Sequence, residues 1–287
     1  MKARIVRILS KDYTLLSEDG TRIAAVAMGK LRKSNSPVVG DLVEAQILNG
    51  VCGIQKIYPR HNCLIRPACA NVDQALIVMS VKDPDFSPAL IDRLSALIVH
   101  AGIKPVLCVT KCDLGIDEET EELIREYETG RMQVIRTGKD SLNPEVAAIF
   151  KDRITVLTGQ SGAGKSTLLN EINPEFQLAT QEISKALGRG RHTTRHSELH
   201  EVAGGLVADT PGFSSLEFNH MEAADLGQSF LDFRPYLGQC RFNDCIHENE
   251  PDCAVKQAVD SGTISLTRYN NYLDILKLIR SRKESWQ

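Results

Sequence analysis

Two short loop motifs constrain what this 287-residue chain can fold into, and they stand in an unusual order. Gly159-Gln160-Ser161-Gly162-Ala163-Gly164-Lys165-Ser166 fits G-x-x-x-x-G-K-[ST] at every position. Such a loop needs a buried strand before it and a helix after it, so that backbone N–H groups and the positive helix end face a phosphate. Residues 154–158 have the apolar strand pattern, and residues 166–173 suit the helix. Thr110-Lys111-Cys112-Asp113 follows a second apolar strand pattern at 105–110 and has the form of a guanine-reading loop. The common arrangement places the phosphate loop first. Here it comes second, which calls for a parallel α/β sheet whose strands are circularly permuted.

The chemistry of each motif predicts a role. Lys165 is placed to reach β- and γ-phosphates, and the Ser166 hydroxyl to bind Mg²⁺. Guanine presents donors at N1 and N2, and one carboxylate, Asp113, accepts both. Adenine would leave that buried charge unsatisfied. The Lys111 stem lies against the base. Thr110 stands where many such loops have asparagine, which leaves one base contact weaker. Thr137-Gly138-Lys139 falls where a backbone N–H would meet guanine O6, although a plain loop fits as well. Asp209-Thr210-Pro211-Gly212 ends the strand pattern at 206–210. Asp209 is expected to hold Mg²⁺ through water, and Gly212 to let the backbone approach a γ-phosphate. Gly188-Arg189-Gly190-Arg191-His192-Thr193-Thr194-Arg195-His196 occupies the place of a switch loop. Thr193 or Thr194 is expected to add a hydroxyl to Mg²⁺ when the γ-phosphate is present. GTP and GDP are the expected ligands.

Three segments emerge. Residues 1–66 read as about five short strands, with Glu18-Asp19-Gly20 and Asn49-Gly50 as hairpin turns. That suits a small β-barrel, the oligonucleotide-binding (OB) type being one option. Residues 67–220 alternate strands with helices, including a helix capped by Ser87-Pro88 and stopped at Gly102, and an acidic helix at 117–128. Residues 221–287 carry no strand pattern and end in a helix whose apolar stripe is Leu266, Tyr269, Leu273, Leu276 and Ile279.

Cys240-x4-Cys245-x-His247-x5-Cys253 offers three sulfurs and one imidazole, the donor set of a closed structural Zn²⁺ site. The segment shows no apolar core of its own, so metal is expected to supply much of its folding free energy. No signal-peptide core or membrane-length apolar run occurs, so a cytoplasmic protein without membrane contact is expected, its cysteines reduced or metal-bound. Residues 1–66 hold 11 basic and 5 acidic residues, a charge of +6, against −9 for the remainder. A basic module on an acidic body suggests a polyanionic partner.

On the motifs at 110–113, 159–167 (which adds Thr167), 190–194 and 209–213 and the Cys240/Cys245/His247/Cys253 set, the chain resembles the ribosome-small-subunit-dependent GTPase A family of circularly permuted GTPases. The likeness extends over essentially the whole chain. It implies an OB-fold N-terminus, a permuted P-loop domain and a helical zinc domain. It also implies GTP hydrolysis stimulated by the 30S subunit, with that subunit and its 16S rRNA as partners of a monomer in late subunit maturation. Many GTPases carry a glutamine after D-x-x-G to orient water. Here Phe213 stands instead, so intrinsic turnover is expected to be low. His192, ordered by the ribosome, is the candidate for the missing help, although contact with RNA is an equal reading of it. The competing classes are an RNA-binding protein with GTP as a structural ligand, and a P-loop kinase, against which Asp113 argues.

Overall fold

A computed structural model describes residues 1–28, 36–65, 68–139, 144–173, 197–208, 218 and 221–284. In chain order the strands are β1 (Lys2–Leu9), β2 (Asp12–Ser17), β3 (Arg22–Ala27), β4 (Leu42–Leu48), β5 (Val51–Ile57), β6 (Cys63–Ile65), β7 (Ala68–Ala70) and β8 (Gln74–Ser80). Then come α1 (Pro88–His100), β9 (Lys104–Thr110), α2 (Glu118–Thr129), β10 (Gln133–Arg136), α3 (Pro144–Ala148), β11 (Ile154–Gly159) and α4 (Lys165–Ile172). β12 (Ser197–Val202), β13 (Gly205–Ala208), α5 (Ala223–Ser229), α6 (Ala254–Asp260) and α7 (Leu266–Glu284) complete them. Two compact units result, one from residues 1–74, 144–157 and 165–212, the other from 75–143, 158–164 and 213–287.

In the first unit β1 to β5 close into a barrel in the order β1-β2-β3-β5-β4. The ring is completed by β4 on β1, with Ala3 opposite Val43 and Arg4 opposite Leu42. Only β3 and β5 run parallel among these pairs. Alternate residues point inward, so Ile5, Leu15, Val43 and Ile54 fill the interior. Asn49 and Gly50 both take positive φ (50° and 77°), as a tight two-residue hairpin demands. Five strands closed in this way are the OB type of barrel, which settles the choice the strand pattern left open. β13 pairs in parallel with β11, and β12 lies antiparallel between β13 and β1.

Several of the described arginines are engaged inside this unit. Arg60 grips buried Asp41 through both carboxylate oxygens, at 2.6 and 2.8 Å. Arg7 and Arg22 pair with Glu198, and Arg22 also with Glu201. Arg4 donates to the Gly40 carbonyl. Lys2, Lys11 and Lys56 stay exposed. Among the described residues, the unpaired basic surface is therefore smaller than a bare count of their charges suggests.

In the second unit the strand order is β10-β9-β8. Every residue of β8, and residues 105–110 of β9, are buried, as expected for parallel strands covered on both faces. The Ser87 hydroxyl caps α1 by accepting from Leu90 N–H, and Asp117 caps α2 through Thr120 N–H at 2.8 Å. α5, α6 and α7 share one apolar core with α1, built around Phe230, Phe233, Tyr272 and Leu276. The metal-ligand segment is thus seated on a substantial core, contrary to the sequence expectation. The pattern missed this because the core's residues are scattered over several short elements between Phe218 and Ile279, with only Ala96 and Leu97 added from α1.

The buried face of α7 also differs from the expected stripe. Leu266 is 63% exposed, whereas Arg268, Tyr272, Ile275, Leu276 and Ile279 are buried. Arg268 survives burial because its guanidinium lies 3.5 Å from Asp92 and 3.3 Å from Asp232, over the ring of Tyr127. A Cβ at residue 130 would stand 2.7 Å from that guanidinium, which explains Gly130. No helix among the described residues is long and apolar enough to cross a membrane.

Candidate functional site

β11 delivers the chain into the phosphate loop, and α4 begins at Lys165. Gly159, Gly162 and Gly164 all take positive φ, at 125°, 82° and 89°. At Gly159 a Cβ would run into the Val78 carbonyl oxygen, so both the torsion and the space require glycine. This spacing of left-handed residues turns successive N–H groups into one concavity, the physical basis of a phosphate cradle. Ala163 is buried; Ser161, Gly162, Ser166 and Thr167 are exposed, with Gln160 and Lys165 intermediate. Burial pulls the Lys165 ammonium below its ordinary value. A desolvated ammonium beside an anionic ligand gains more from pairing than a hydrated one does.

The loop after β9 is bonded to the phosphate loop. Buried Thr110 donates its hydroxyl to the Ala163 carbonyl at 2.6 Å, with the Met79 carbonyl at 3.2 Å. Its one proton is spent on backbone, and the sequence reading of Thr110 as a base contact overlooked this. Lys111 takes a left-handed conformation (φ 58°), and its ammonium donates to the Asp83 carbonyl. Half-buried Cys112 contributes its N–H to the Thr137 carbonyl at 3.2 Å. Asp113 is exposed; its Oδ1 accepts the Lys139 N–H at 2.8 Å, while Oδ2 engages no group among the described residues. The segment 137–139, for which the sequence carried a weak signal, is therefore brought onto Asp113. The buried Thr137 hydroxyl has no partner among the described residues. A free carboxylate oxygen and a buried hydroxyl beside a glycine cradle fit the edge of a guanine nucleotide. His192, Thr193, Thr194, Asp209, Gly212 and Phe213 lie outside the described residues.

A second constellation lies in the same unit. One ligand atom from each of Cys240, Cys245, His247 and Cys253 comes within 4.8 Å of all the others. His247 Nδ1 is 3.6, 3.5 and 3.4 Å from the sulfurs of Cys240, Cys245 and Cys253, and the Cys240 and Cys253 sulfurs are 3.9 Å apart. A tetrahedron with Zn–S and Zn–N bonds of about 2.3 and 2.0 Å has S···S and S···N edges of about 3.8 and 3.5 Å. The observed separations fit that polyhedron, with four protein donors and no open vertex. Glu250 holds the turn by accepting from Ile246 and Glu248 N–H, each at 2.9 Å. Tyr269 and Tyr272 donate their hydroxyls to the His247 and Ile246 carbonyls at 2.8 and 2.5 Å. The sequence reading missed Glu250 and Tyr272 and took Tyr269 only as part of an apolar stripe. The one available signal was a glutamate inside the His247–Cys253 spacer.

With this geometry in place, comparisons with known proteins agree with one another. A family model described as RsgA GTPase matches residues 57–219. A small ribosomal subunit biogenesis GTPase RsgA of Bacillus subtilis (strain 168) is 44% identical, over 98% of this chain and 98% of that protein. The protein of the same name from Enterococcus faecalis (strain ATCC 700802 / V583) is also 44% identical, over 99% and 97%. Among solved structures, YloQ, described as a circularly permuted GTPase, superposes with a TM-score of 0.85 at 39% identity, over 98% of this chain and 95% of that one. YjeQ from Thermotoga maritima gives 0.82 at 33% identity, over 97% and 98%.

Proposed function

This chain belongs to the RsgA GTPase family, and from that premise we propose that it hydrolyses GTP to GDP and phosphate on the small ribosomal subunit during biogenesis of that subunit. The observation that carries the reading is the bond from Thr110 to Ala163, which joins a guanine-type loop to a phosphate loop. A kinase phosphate loop has no need of such a companion. Residues 1–66 act as an RNA-facing barrel, 67–220 as the GTPase domain and 221–287 as a zinc-bound helical domain. The protein works as a cytoplasmic monomer on the 30S particle and its 16S rRNA.

In this reading the backbone of residues 159–164 wraps the phosphates, Lys165 neutralises charge on the β- and γ-phosphates, and Asp113 reads guanine. Thr110 holds the two loops in register, while the Lys111 stem and Cys112 flank the base. Mg²⁺, when bound, spreads the charge developing on the β- and γ-oxygens. Ser166, Asp209 and one of Thr193 and Thr194 are the residues to hold it, with Thr167 and Gly212 lining the phosphates. Phe213 cannot orient water, so His192 does so once the subunit positions its loop. The Cys240, Cys245, His247 and Cys253 donors hold Zn²⁺ in a purely structural role.

The deciding experiment is GTP turnover titrated with purified small subunits, with ATP as control. Saturable stimulation specific for GTP supports the proposal. Equal turnover with and without subunits, or equal use of ATP, refutes it. The histidine assignment fails if His192→Ala binds GTP and subunits yet keeps full stimulation.

A further inference from the structure

A cavity of about 510 Å³ opens beside the metal-ligand cluster, and nothing in the GTPase mechanism uses it. Its lining joins an aromatic ring, a guanidinium and unspent amide and carboxylate groups. Phe242 is 41% exposed, the one exposed phenylalanine among the described residues. It lies in the four-residue spacer between Cys240 and Cys245, so the ligands on either side fix its backbone. The Arg241 guanidinium sits 5.5 Å from its ring centroid and is itself anchored to Asp252 at 3.0 Å. Arg234 adds a second exposed guanidinium on the rim, tied by its Nε to the Gln228 carbonyl at 3.4 Å.

Around this platform the side chains of Gln228, Asn243 and Asp244 line the cavity. All three residues are exposed, and no side-chain atom of theirs makes a hydrogen bond to another described residue. The floor is bare by necessity, because a Cβ at Gly227 would stand 3.0 Å from the His247 ring. A flat ring held by a rigid turn, flanked by cations and by unspent donors and acceptors, is the equipment that recognises an unstacked nucleobase. A peptide side chain would leave most of those hydrogen-bonding groups unused.

We propose that this cavity takes an unpaired base of single-stranded RNA, stacked on Phe242, with Gln228, Asn243 and Asp244 reading its edge. The proposal rests on the small-subunit reading above for its biological setting, but not for its test. The probes are fluorescent, unstructured oligo(A) and oligo(U) ribonucleotides, titrated at fixed salt into the full-length, metal-loaded chain and into its Phe242→Ala and Phe242→Trp forms. One stacked base gives a factor of roughly 5 to 150 in affinity. Phe242→Ala should lose a factor in that range while retaining its metal content. Phe242→Trp should bind at least as well as the native chain, with its added indole emission quenched by RNA.

Unchanged affinity in Phe242→Ala, or an added indole signal indifferent to RNA, overturns the proposal. Because the indole reports locally, RNA bound at the barrel cannot mimic it. If the native chain ignores the oligonucleotides and Phe242→Ala nevertheless weakens binding to small subunits, a ribosomal protein fills the cavity and the RNA assignment is wrong. If small subunits neither bind nor stimulate the native chain, the functional reading fails instead, whatever the oligonucleotides do.

Discussion

Replacing Thr110 by valine removes one hydroxyl and changes little else. The side chain is buried, its shape is kept, and the bond to the Ala163 carbonyl at 2.6 Å disappears. A buried acceptor left without its donor costs about 1–3 kcal/mol. Here the cost falls on the arrangement of two loops. If it is met by depopulating the binding-competent arrangement, GTP and GDP both bind about 5- to 150-fold more weakly in Thr110→Val. A direct base contact predicts something else. A hydroxyl touching the purine edge would meet N7, so the native chain would prefer GTP to 7-deaza-GTP and the variant would not. Calorimetric titration of both chains with GTP, GDP and 7-deaza-GTP separates the two cases. The positioning argument expects parallel losses for all three nucleotides and an unchanged GTP to 7-deaza-GTP ratio. A preference present in the native chain and erased in Thr110→Val would refute it, as would affinities within a factor of two of the native ones.

Two further outcomes follow from groups outside the nucleotide loops. Chelation of the proposed Zn²⁺ should expose three additional thiols, Cys240, Cys245 and Cys253, to a thiol reagent that labels only exposed Cys63 readily beforehand. The shared α1–α7 core should keep most helical circular dichroism through that treatment, and its complete loss would show that metal carries the whole segment. Burial, partly opposed by the Arg268 guanidinium, pushes the Asp92 carboxyl up to about 6. The folded state therefore binds more protons than the unfolded state between about pH 4 and 6, and stability from this group falls as pH rises through that window. Asp92→Asn abolishes this contribution, so the difference in urea unfolding free energy between the two chains should change by up to roughly 3 kcal/mol from pH 4 to 7. A constant difference would show that Asp92 does not titrate there.

What the sequence displayed plainly were features set by local geometry. The glycines of the phosphate loop, the Ser87 and Asp117 caps and the Asn49-Gly50 turn each answer to a torsion or an orphan N–H of their own neighbourhood. The fully apolar runs of β8 and β9 announce strands covered on both faces. Features set by distant partners were not visible. β12 reads Ser197-Glu198-Leu199-His200-Glu201-Val202, too polar to stand out, because Glu198 and Glu201 face arginines of the barrel. The short β6–β7 hairpin carries little alternation at all. Arg268 breaks the apolar pattern of α7 and is buried nonetheless, since its counter-charges come from α1 and from the segment after α5. At the site, composition identified the metal donors, whereas Glu250, Tyr269 and Tyr272, which orient them, act through backbone carbonyls and N–H groups that no motif encodes.

The permuted order acquires a physical meaning from what the second unit contains. The guanine-type loop, the backbone of the phosphate loop and the metal-ligand turn all belong to it. α2 starts just beyond Asp113, and near its far end Tyr127 lies under Arg268. One turn further along α7, Tyr272 reaches the carbonyl of Ile246 beside the metal ligands. The Tyr127–Arg268 and Tyr272–Ile246 joints are contacts with defined partners, so α2, α7 and the metal turn are packed together within one unit. Spatial continuity of this kind is not itself coupling, which requires an element with two arrangements that both sites bias. A chain in the common order would end such a domain on its guanine-reading side. Permutation instead places β13 last among its strands, and the chain then leads into the segment that carries the metal ligands.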